Sequence, residues 1–276
     1  MLIQSNRMAF MAYRHYQRHS FAMFQSMERL ASGKRINRAS DDAAGLAISE
    51  KMRAQIRGYE QAIRNANDGI SLVQTADGAL SETQQILQRM RELTVQAAND
   101  TNTESERLII QQELTQLTKQ IDHISEHTEF NTRKLLAGDG DEPLKLKLQI
   151  GANAGQSVEL HFQSMGGQAL GLDDADVIDV TSNEKANAFL ERLDDAIGKV
   201  SSERATYGAY QNRLEHTVSN LSNMAVNMSA SESRIRDVDY AREMMHFMRA
   251  QILSQVSMAM MVQANQQTSR LVELLR

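Results

Sequence analysis

The sequence predicts a mainly α fold, in which a long antiparallel helical bundle or coiled coil carries one small β-hairpin. The 276 residues include a single proline and neither cysteine nor tryptophan, and aromatic residues make up only 5% of the chain. Its apolar residues are chiefly leucine, isoleucine, alanine and methionine, which favour thin cores between helices. Over most of the chain these residues recur at steps of three and four, the spacing of one helix face.

The first 32 residues contain no glycine or proline, and their apolar residues predict a terminal helix with an imperfect coiled-coil seam. The seam residues predicted for this helix are Ile3, Phe10, Tyr13, Phe24 and Met27. The stretch "ASGKRINRASDDAAG" (31–45) then breaks the helix. We predict a connector over residues 33–46, in which Asp41 and Asp42 restart the helix because carboxylates are favoured at a helix N-terminus.

The next segment, residues 47–138, predicts the first part of a helical core. One helix is expected to end near Arg64, with "NANDG" (65–69) as a break. After that break, apolar residues hold heptad spacing over residues 73–97, and a turn rich in helix-capping residues follows. The helix predicted over 104–128 should fold back antiparallel on its predecessor.

Residues 139–181 hold the strand signal of the chain. "LKLKLQI" and "SVELHF" alternate strictly between apolar and polar residues, with "GANAG" between them. This alternation predicts a β-hairpin over residues 144–162, followed by a loop rich in glycine and aspartate. Helical periodicity returns in residues 182–230, which we predict to form the second part of the helical core.

The last segment, residues 231–276, predicts a second terminal helix that begins after "SASES" (229–233). Its predicted seam residues are Met245, Met248, Ile252 and Ala259. The two ends share an unusual chemistry, since five of the 16 methionines lie in residues 1–32 and six in residues 234–276. Both helices carry apolar residues on more than one side, so we expect other copies of the chain to cover them.

The composition and motifs argue against several classes of protein. A net charge of −5 does not suit a nucleic-acid binder, and no apolar run approaches the roughly 20 residues that membrane insertion needs. The pairs His15/His19 and His123/His127 have the spacing of metal ligands, but no wider ligand motif accompanies either pair. With no nucleophile arrangement or phosphate-binding glycine loop, the sequence predicts neither an enzyme nor a cofactor.

Several stretches resemble motifs of bacterial flagellins. In the first half these stretches are "MERLASGKRINRASDDAAGLAISEKMRAQIRG" (27–58), "NANDGISLVQTADGALSE" (65–82) and "LQRMRELTVQAAND" (87–100). In the second half they are "YGAYQNRLEHTVSNL" (207–221), "SESRIRDVDYAREM" (231–244) and "QILSQVSMAMMVQANQQTSRLVELLR" (251–276). The resemblance covers nearly the whole chain, in the order and spacing of the family.

The resemblance implies a structural subunit that polymerises into the extracellular flagellar filament used for swimming. Flagellins leave the cell unfolded through the flagellar type III export channel. This route agrees with the expectation that the chain has no Sec signal peptide, because Arg7, Arg14 and Arg18 interrupt its first apolar stretch. The implied partners are other copies of the chain, hook-associated and cap proteins, and a cytoplasmic export chaperone on the C-terminal helix. The variable outer domain is expected to be essentially absent.

The resemblance also implies roles for individual residues. Candidates for recognition by the animal innate immune receptor for flagellin are Arg89, Leu93 and Glu113. A purely structural role for "RMREL" (89–93) is the alternative, with Met90 in the core and the charged residues in solvent. Candidates for contacts between subunits in the connector are Arg35, Arg38, Asp41 and Asp42.

Two other functions stay open at this point. One is the hook–filament junction protein, although "RINRASDDAAGLAI" and the C-terminal motifs favour a filament subunit. The other is a minor or specialised secreted flagellin that acts mainly as an innate-immune ligand. The stretch "NRMAFMAYRHYQRHSFAMF" (6–24) keeps this second alternative open, because it is richer in aromatic and cationic residues than is usual in the family.

Overall fold

The computed structural model describes residues 6–137, 143–173 and 178–273, and within them long helices dominate. The helices are α1 (Arg7–Ser32), α2 (Ala43–Ala97), α3 (Glu104–His127), the short α4 (Gly167–Leu170), α5 (Asn183–Arg236) and α6 (Tyr240–Glu273). The strands are β1 (Glu129–Phe130), β2 (Arg133–Lys134), β3 (Leu144–Gln149) and β4 (Ser157–Phe162). The predicted mainly α class is confirmed. None of the described helices is long and apolar enough to cross a membrane.

The chain divides into two compact units. The first comprises Met1–Gln55 and Val226–Arg276, and the second comprises Ile56–Ala225. The first unit therefore contains α1, α6, the connector and the adjoining ends of α2 and α5. The second contains the remainder of α2 and α5 together with α3, α4 and the strands.

Two predicted helix breaks are wrong, because α2 runs through residues 65–69 and α5 runs through residues 229–233. The glycine of the first motif serves close packing instead of a turn. A Cβ on Gly69 would lie 2.4 Å from Cδ2 of Leu148, and Ala66 beside it is fully buried. In the second motif the helix continues to Arg236, since the segment holds no glycine or proline to stop it.

The second unit has a continuous core, and the predicted β-hairpin covers part of it. Strands β3 and β4 pair antiparallel, with Leu146 opposite Leu160. The predicted apolar face points inward, since Leu146, Leu160 and Phe162 are buried. The Phe162 ring lies 5.2 Å from the ring of Tyr207 on α5, centroid to centroid. Apolar residues of α2, α3 and α5 complete the cluster. This unit therefore buries its own apolar stripe.

Polar contacts fix the helices of this unit in register. Arg204, which interrupts the apolar stripe of α5, joins α5 to α2 because its Nε donates to Asp77 Oδ1 at 2.9 Å and its Nη1 to Gln84 Oε1 at 2.6 Å. At the start of α3, Thr103 and Glu106 form a capping box, as expected from a turn rich in helix-capping residues.

The short strand pair β1–β2 was not predicted, because its residues show no periodic pattern in the sequence. Its turn places Asn131 and Thr132 at positive φ.

Two glycines in α2 give a matched test of this packing. A Cβ on Gly58 would lie 2.6 Å from the Ala152 Cβ and 3.1 Å from its Cα, whereas a Cβ on Gly78 meets nothing within 4 Å. We expect Gly78→Ala to raise the free energy of unfolding by about 0.5–1 kcal/mol, because alanine favours the helix. Gly58→Ala should lower it by about 1–3 kcal/mol through overpacking. Denaturant titration of the monomer checks both, and equal effects would contradict the close approach.

A buried carboxyl gives a pH-dependent test. Glu203 on α5 is 7% exposed, and this burial raises its pKa above the usual 4.5. The stability contributed by burying the neutral carboxyl is therefore fully present below about pH 4.5, and it is lost as the pH rises through the pKa of the folded state. Glutamine cannot ionise, so Glu203→Gln should be the more stable protein at about pH 8, and the difference should vanish at about pH 4. A difference that is constant across denaturation curves at both pH values would contradict this reasoning.

Candidate assembly surface

Helices α1 and α6 form an antiparallel pair within the first unit. At one end, the Tyr240 hydroxyl donates to the Leu30 carbonyl at 3.2 Å. At the other end, the Asn6 Nδ2 donates to the Ala264 carbonyl at 3.0 Å and to Thr268 Oγ1 at 2.8 Å. The start of α1 therefore lies beside the last turns of α6.

The seam between these helices combines small and large side chains. The least exposed residues of α6 follow alternating steps of four and three, and they are Glu243, Phe247, Ala250, Ser254, Ser257, Met261, Ala264 and Thr268. On α1, the least exposed residues include Asn6, Ala9, Ala12, Tyr16, His19, Met23, Ser26 and Leu30. Alanine and serine at such positions let the two backbones approach closely. The Ser257 hydroxyl is satisfied by the Leu253 carbonyl of its own helix at 2.7 Å.

The predicted seam is wrong, because its large apolar residues are exposed and are not buried between the two helices. The exposed residues of that prediction are Phe10, Tyr13, Phe24, Met27, Met245, Met248, Ile252 and Ala259, and Ile3 lies outside the described residues. Both helices have apolar residues around much of their circumference, so spacing alone permits more than one seam. The structure uses the one with the smaller side chains.

The consequence is a large exposed apolar surface on this helix pair, with seven members on α1 and ten on α6. We define the terminal apolar surface as Met8, Phe10, Met11, Tyr13, Phe21, Phe24, Met27, Tyr240, Met244, Met245, Met248, Ile252, Leu253, Val256, Met258, Met260 and Val262. Phe21 is 72% exposed and Met245 is 63% exposed. Exposed apolar side chains in such number are typical of surfaces that bind protein partners.

The charged residues of the pair are mostly arginines. His19, Arg29, Arg242, His246 and Arg249 line one flank of the pair. Glu243 is the carboxylate among the residues that line this flank, 3.9 Å from Arg29.

The two histidine pairs stack ring on ring. The ring centroids of His15 and His19 on α1 are 6.2 Å apart, and those of His123 and His127 on α3 are 3.9 Å apart. In the part of the chain that the structure describes, no three metal-ligating side chains come together.

The connector residues make contacts within the chain. The backbone N–H of Arg35 donates to the Arg236 carbonyl at 2.6 Å, and its Nη2 donates to the Ile235 carbonyl at 2.6 Å. Asp41 accepts the N–H groups of residues 37 and 38, and the Arg38 N–H holds the pKa of Asp41 below its usual value. Asp42 accepts the Gly45 N–H at 2.9 Å and so caps α2. The connector is thus tied to the end of α5.

One contact of the connector region was missed by sequence reasoning. Arg236 is 8% exposed, and its Nη1 donates to Glu50 Oε1 at 2.6 Å. The hydrogen bond from Arg236 holds the pKa of Glu50 below its usual value. The two residues are 186 positions apart in the chain, so no local pattern could have paired them.

The predicted receptor residues differ in how far they are exposed to solvent. Arg89 on α2 donates to Glu113 on α3 and to Glu92, each at 3.3 Å, and all three are exposed. Leu93 is only 3% exposed and belongs to the core of the second unit, so its side chain offers almost no surface to a receptor. Its position on the apolar stripe of α2 decides its burial. The exposed candidates that remain are Arg89 and Glu113.

Comparison with known proteins gives consistent matches along the chain. The family model for the bacterial flagellin N-terminal helical region matches residues 3–141, and the model for the C-terminal helical region matches residues 190–275. A flagellin from Halalkalibacterium halodurans is 49% identical over 276 residues, covering 100% of both chains. A flagellin from Bacillus subtilis is 51% identical over 281 residues, covering 91% of this chain and 92% of its own.

A solved structure agrees with these sequence matches. The crystal structure of Bacillus cereus flagellin is 33% identical and has a TM-score of 0.50. The match covers 61% of this chain and 94% of that one. The match supports the mainly α fold of the chain.

Asn6 gives a test of the α1–α6 pair. Its Oδ1 accepts the Ala9 N–H and caps α1, while its Nδ2 makes the contacts with α6. Asn6→Ala should lower the stability of the first turn of α1 by about 1–2 kcal/mol through loss of the cap. Asn6→Asp keeps the cap but removes the donor to α6. Amide hydrogen exchange should therefore quicken in both helices for Asn6→Ala and chiefly in α6 for Asn6→Asp. Equal exchange in α1 for both variants would refute the capping role.

Proposed function

Because the chain belongs to the bacterial flagellin family and is a structural subunit of the flagellar filament, we propose that it polymerises by burying its terminal apolar surface against neighbouring copies. The observation that carries this proposal is the exposure of seventeen large apolar side chains on α1 and α6. A helix that is apolar on several sides is stable when it is covered on those sides. The seam with the other helix covers one side of each.

Coupled folding and assembly follow from this surface. We propose that the chain is exported unfolded through the flagellar type III channel. The terminal helices then become fully ordered when neighbouring copies cover them. Contacts between different faces of identical subunits give an open helical filament when the rotation does not close a ring. The second unit, with its own continuous core, folds without these contacts.

Other partners meet the same helices. An export chaperone on α6 would cover its ten exposed apolar residues before export, which supports the C-terminal helix as its binding site. Hook-associated and cap proteins would cover the terminal helices at the two ends of the filament. In the connector, Arg38 is 71% exposed at its side chain and pairs with Glu28 at 3.0 Å. Arg38 is therefore better placed than Arg35 to contact a neighbouring copy.

Isosteric substitutions on α6 test the proposal. Val256 and Val262 are 51% and 50% exposed in the single chain. Threonine has nearly the same shape and helix propensity as valine, but its hydroxyl must lose water when it is buried. The double variant Val256→Thr/Val262→Thr should keep the circular dichroism of the monomer and raise the critical concentration for polymerisation about tenfold or more. Sedimentation of polymer from monomer measures this concentration.

A matched control lies in the second unit. Val95 on α2 is 52% exposed, and Val95→Thr makes the same chemical change on a helix outside the terminal surface. We expect its critical concentration to stay within about twofold of wild type, since exposed substitutions outside an interface have small effects. A control that is impaired as strongly as the α6 double variant, or an unimpaired double variant, would contradict the proposal.

A second proposed function is recognition by the innate immune receptor for flagellin. The supporting observation is the exposed cluster of Arg89, Glu92 and Glu113, which joins α2 and α3 by ion pairs. Such a cluster presents fixed charges to a partner, and a guanidinium can form two parallel hydrogen bonds with a carboxylate. The buried Leu93 would act by supporting the helix under this cluster.

Substitutions of two arginines on α2 distinguish an effect on receptor recognition from an effect on stability. Arg89→Ala should lower the potency of the monomer in a receptor-signalling assay about tenfold or more, because hydrogen bonds to charged groups contribute about 1.5–3 kcal/mol. Arg91, which pairs with Asp194 on α5 at 2.8 Å, is the control. Arg91→Ala should leave potency nearly unchanged. Unaltered signalling by Arg89→Ala would remove the support for this surface.

A further inference from the structure

We propose that the terminal apolar surface is a methionine oxidation site that controls assembly, so that sulfoxide formation on the unassembled chain blocks polymerisation. This inference rests on the proposed role of that surface in assembly. Its members include eight methionines, and they are Met8, Met11, Met27, Met244, Met245, Met248, Met258 and Met260. They are between 40% and 69% exposed in the single chain.

The chain contains a contrast between accessible and protected thioethers. Met90 is fully buried in the core of the second unit, and Met165 is 4% exposed. Met23 and Met261 in the seam between α1 and α6 are half-buried. Because oxidation follows solvent access, the terminal methionines should react first. The core methionines, and with them the fold of the second unit, should be spared.

The chemistry needs a peroxide as the oxidant. The thioether sulfur attacks one oxygen of hydrogen peroxide, the O–O bond breaks, and an S–O bond forms. The sulfur loses two electrons, and the second peroxide oxygen leaves as water after taking up the remaining proton. The product is a polar sulfoxide with a strong hydrogen-bond acceptor. Methionine sulfoxide reductases reverse the change.

The consequence for assembly follows from desolvation. On the free chain a sulfoxide at an exposed position stays hydrated, so the helices of the monomer tolerate it. In an assembled interface the same oxygen loses its water among apolar side chains, which is unfavourable without a donor. Among the other members of the surface, the two tyrosines offer hydroxyl donors, whereas the rest are hydrocarbon side chains. Assembly in turn shields the sulfur atoms, so the susceptible state is the chain before polymerisation.

The first experiment treats purified monomer with hydrogen peroxide, maps sulfoxides by peptide mass spectrometry, and then measures polymerisation. We expect oxidation at the eight terminal methionines to precede that at Met90 and Met165. The critical concentration should rise at least about tenfold, and reduction by a methionine sulfoxide reductase should restore it. Normal polymerisation of a chain that carries these sulfoxides would overturn the inference, as would sulfoxides confined to other positions.

A substitution series completes the test. Leucine has nearly the volume of methionine and cannot form a sulfoxide. A chain with all eight terminal methionines changed to leucine should polymerise both before and after peroxide. The control Met90→Leu/Met165→Leu should still lose polymerisation after peroxide. A leucine chain that peroxide still inactivates would overturn the inference.

The outcomes for the untreated protein keep this inference distinct from the proposed function. If untreated wild-type protein does not polymerise, the proposed function itself fails. If it polymerises and peroxide has no effect despite complete terminal oxidation, the inference about methionine fails while the proposed function stands.

Discussion

The structure depends on the narrow seam between α1 and α6. Each helix covers only one side of the other, and here that side combines alanine, serine and threonine with larger residues such as Tyr16 and Phe247, with the Asn6 contacts at one end. Phe10, Phe21, Phe24 and most of the terminal methionines stay exposed outside this seam. In a single chain the α1–α6 pair therefore gains only part of the stabilisation that its large apolar side chains could supply, because burial of such side chains provides most of the driving force for folding.

The second unit covers the apolar faces of its helices within one chain. Its apolar stripes on α2, α3 and α5 face one another, and the β-hairpin covers the remaining apolar area with Leu160 and Phe162. Arg204 adds a polar contact that fixes two helices in register. The second unit therefore buries its apolar stripes within one chain, whereas the first leaves many large apolar side chains exposed. This difference explains how one chain combines a self-sufficient folded part with an assembly surface.

The sequence predicted the fold class, the hairpin and its inward face, because these depend on local periodicity. It failed where a choice depended on distant residues. The glycine of "NANDG" proved to be a packing residue, since Leu148 lies against it. The seam was assigned to large side chains, because spacing cannot rank alternative faces of a helix that is apolar on several sides. Leu93 was a receptor candidate by resemblance, although its place on the apolar stripe of α2 buries it, and the contact between Arg236 and Glu50 joins positions that no local pattern connects.

The proposed assembly requires that other copies of the chain cover the outward faces of α1 and α6. An electron cryomicroscopy structure of filaments assembled from the purified chain tests it most directly. We expect the seventeen side chains of the terminal apolar surface to pack against neighbouring copies, with α1 and α6 still paired through the same seam. A filament in which these side chains face solvent, while residues 56–225 make the contacts between copies, would contradict the account.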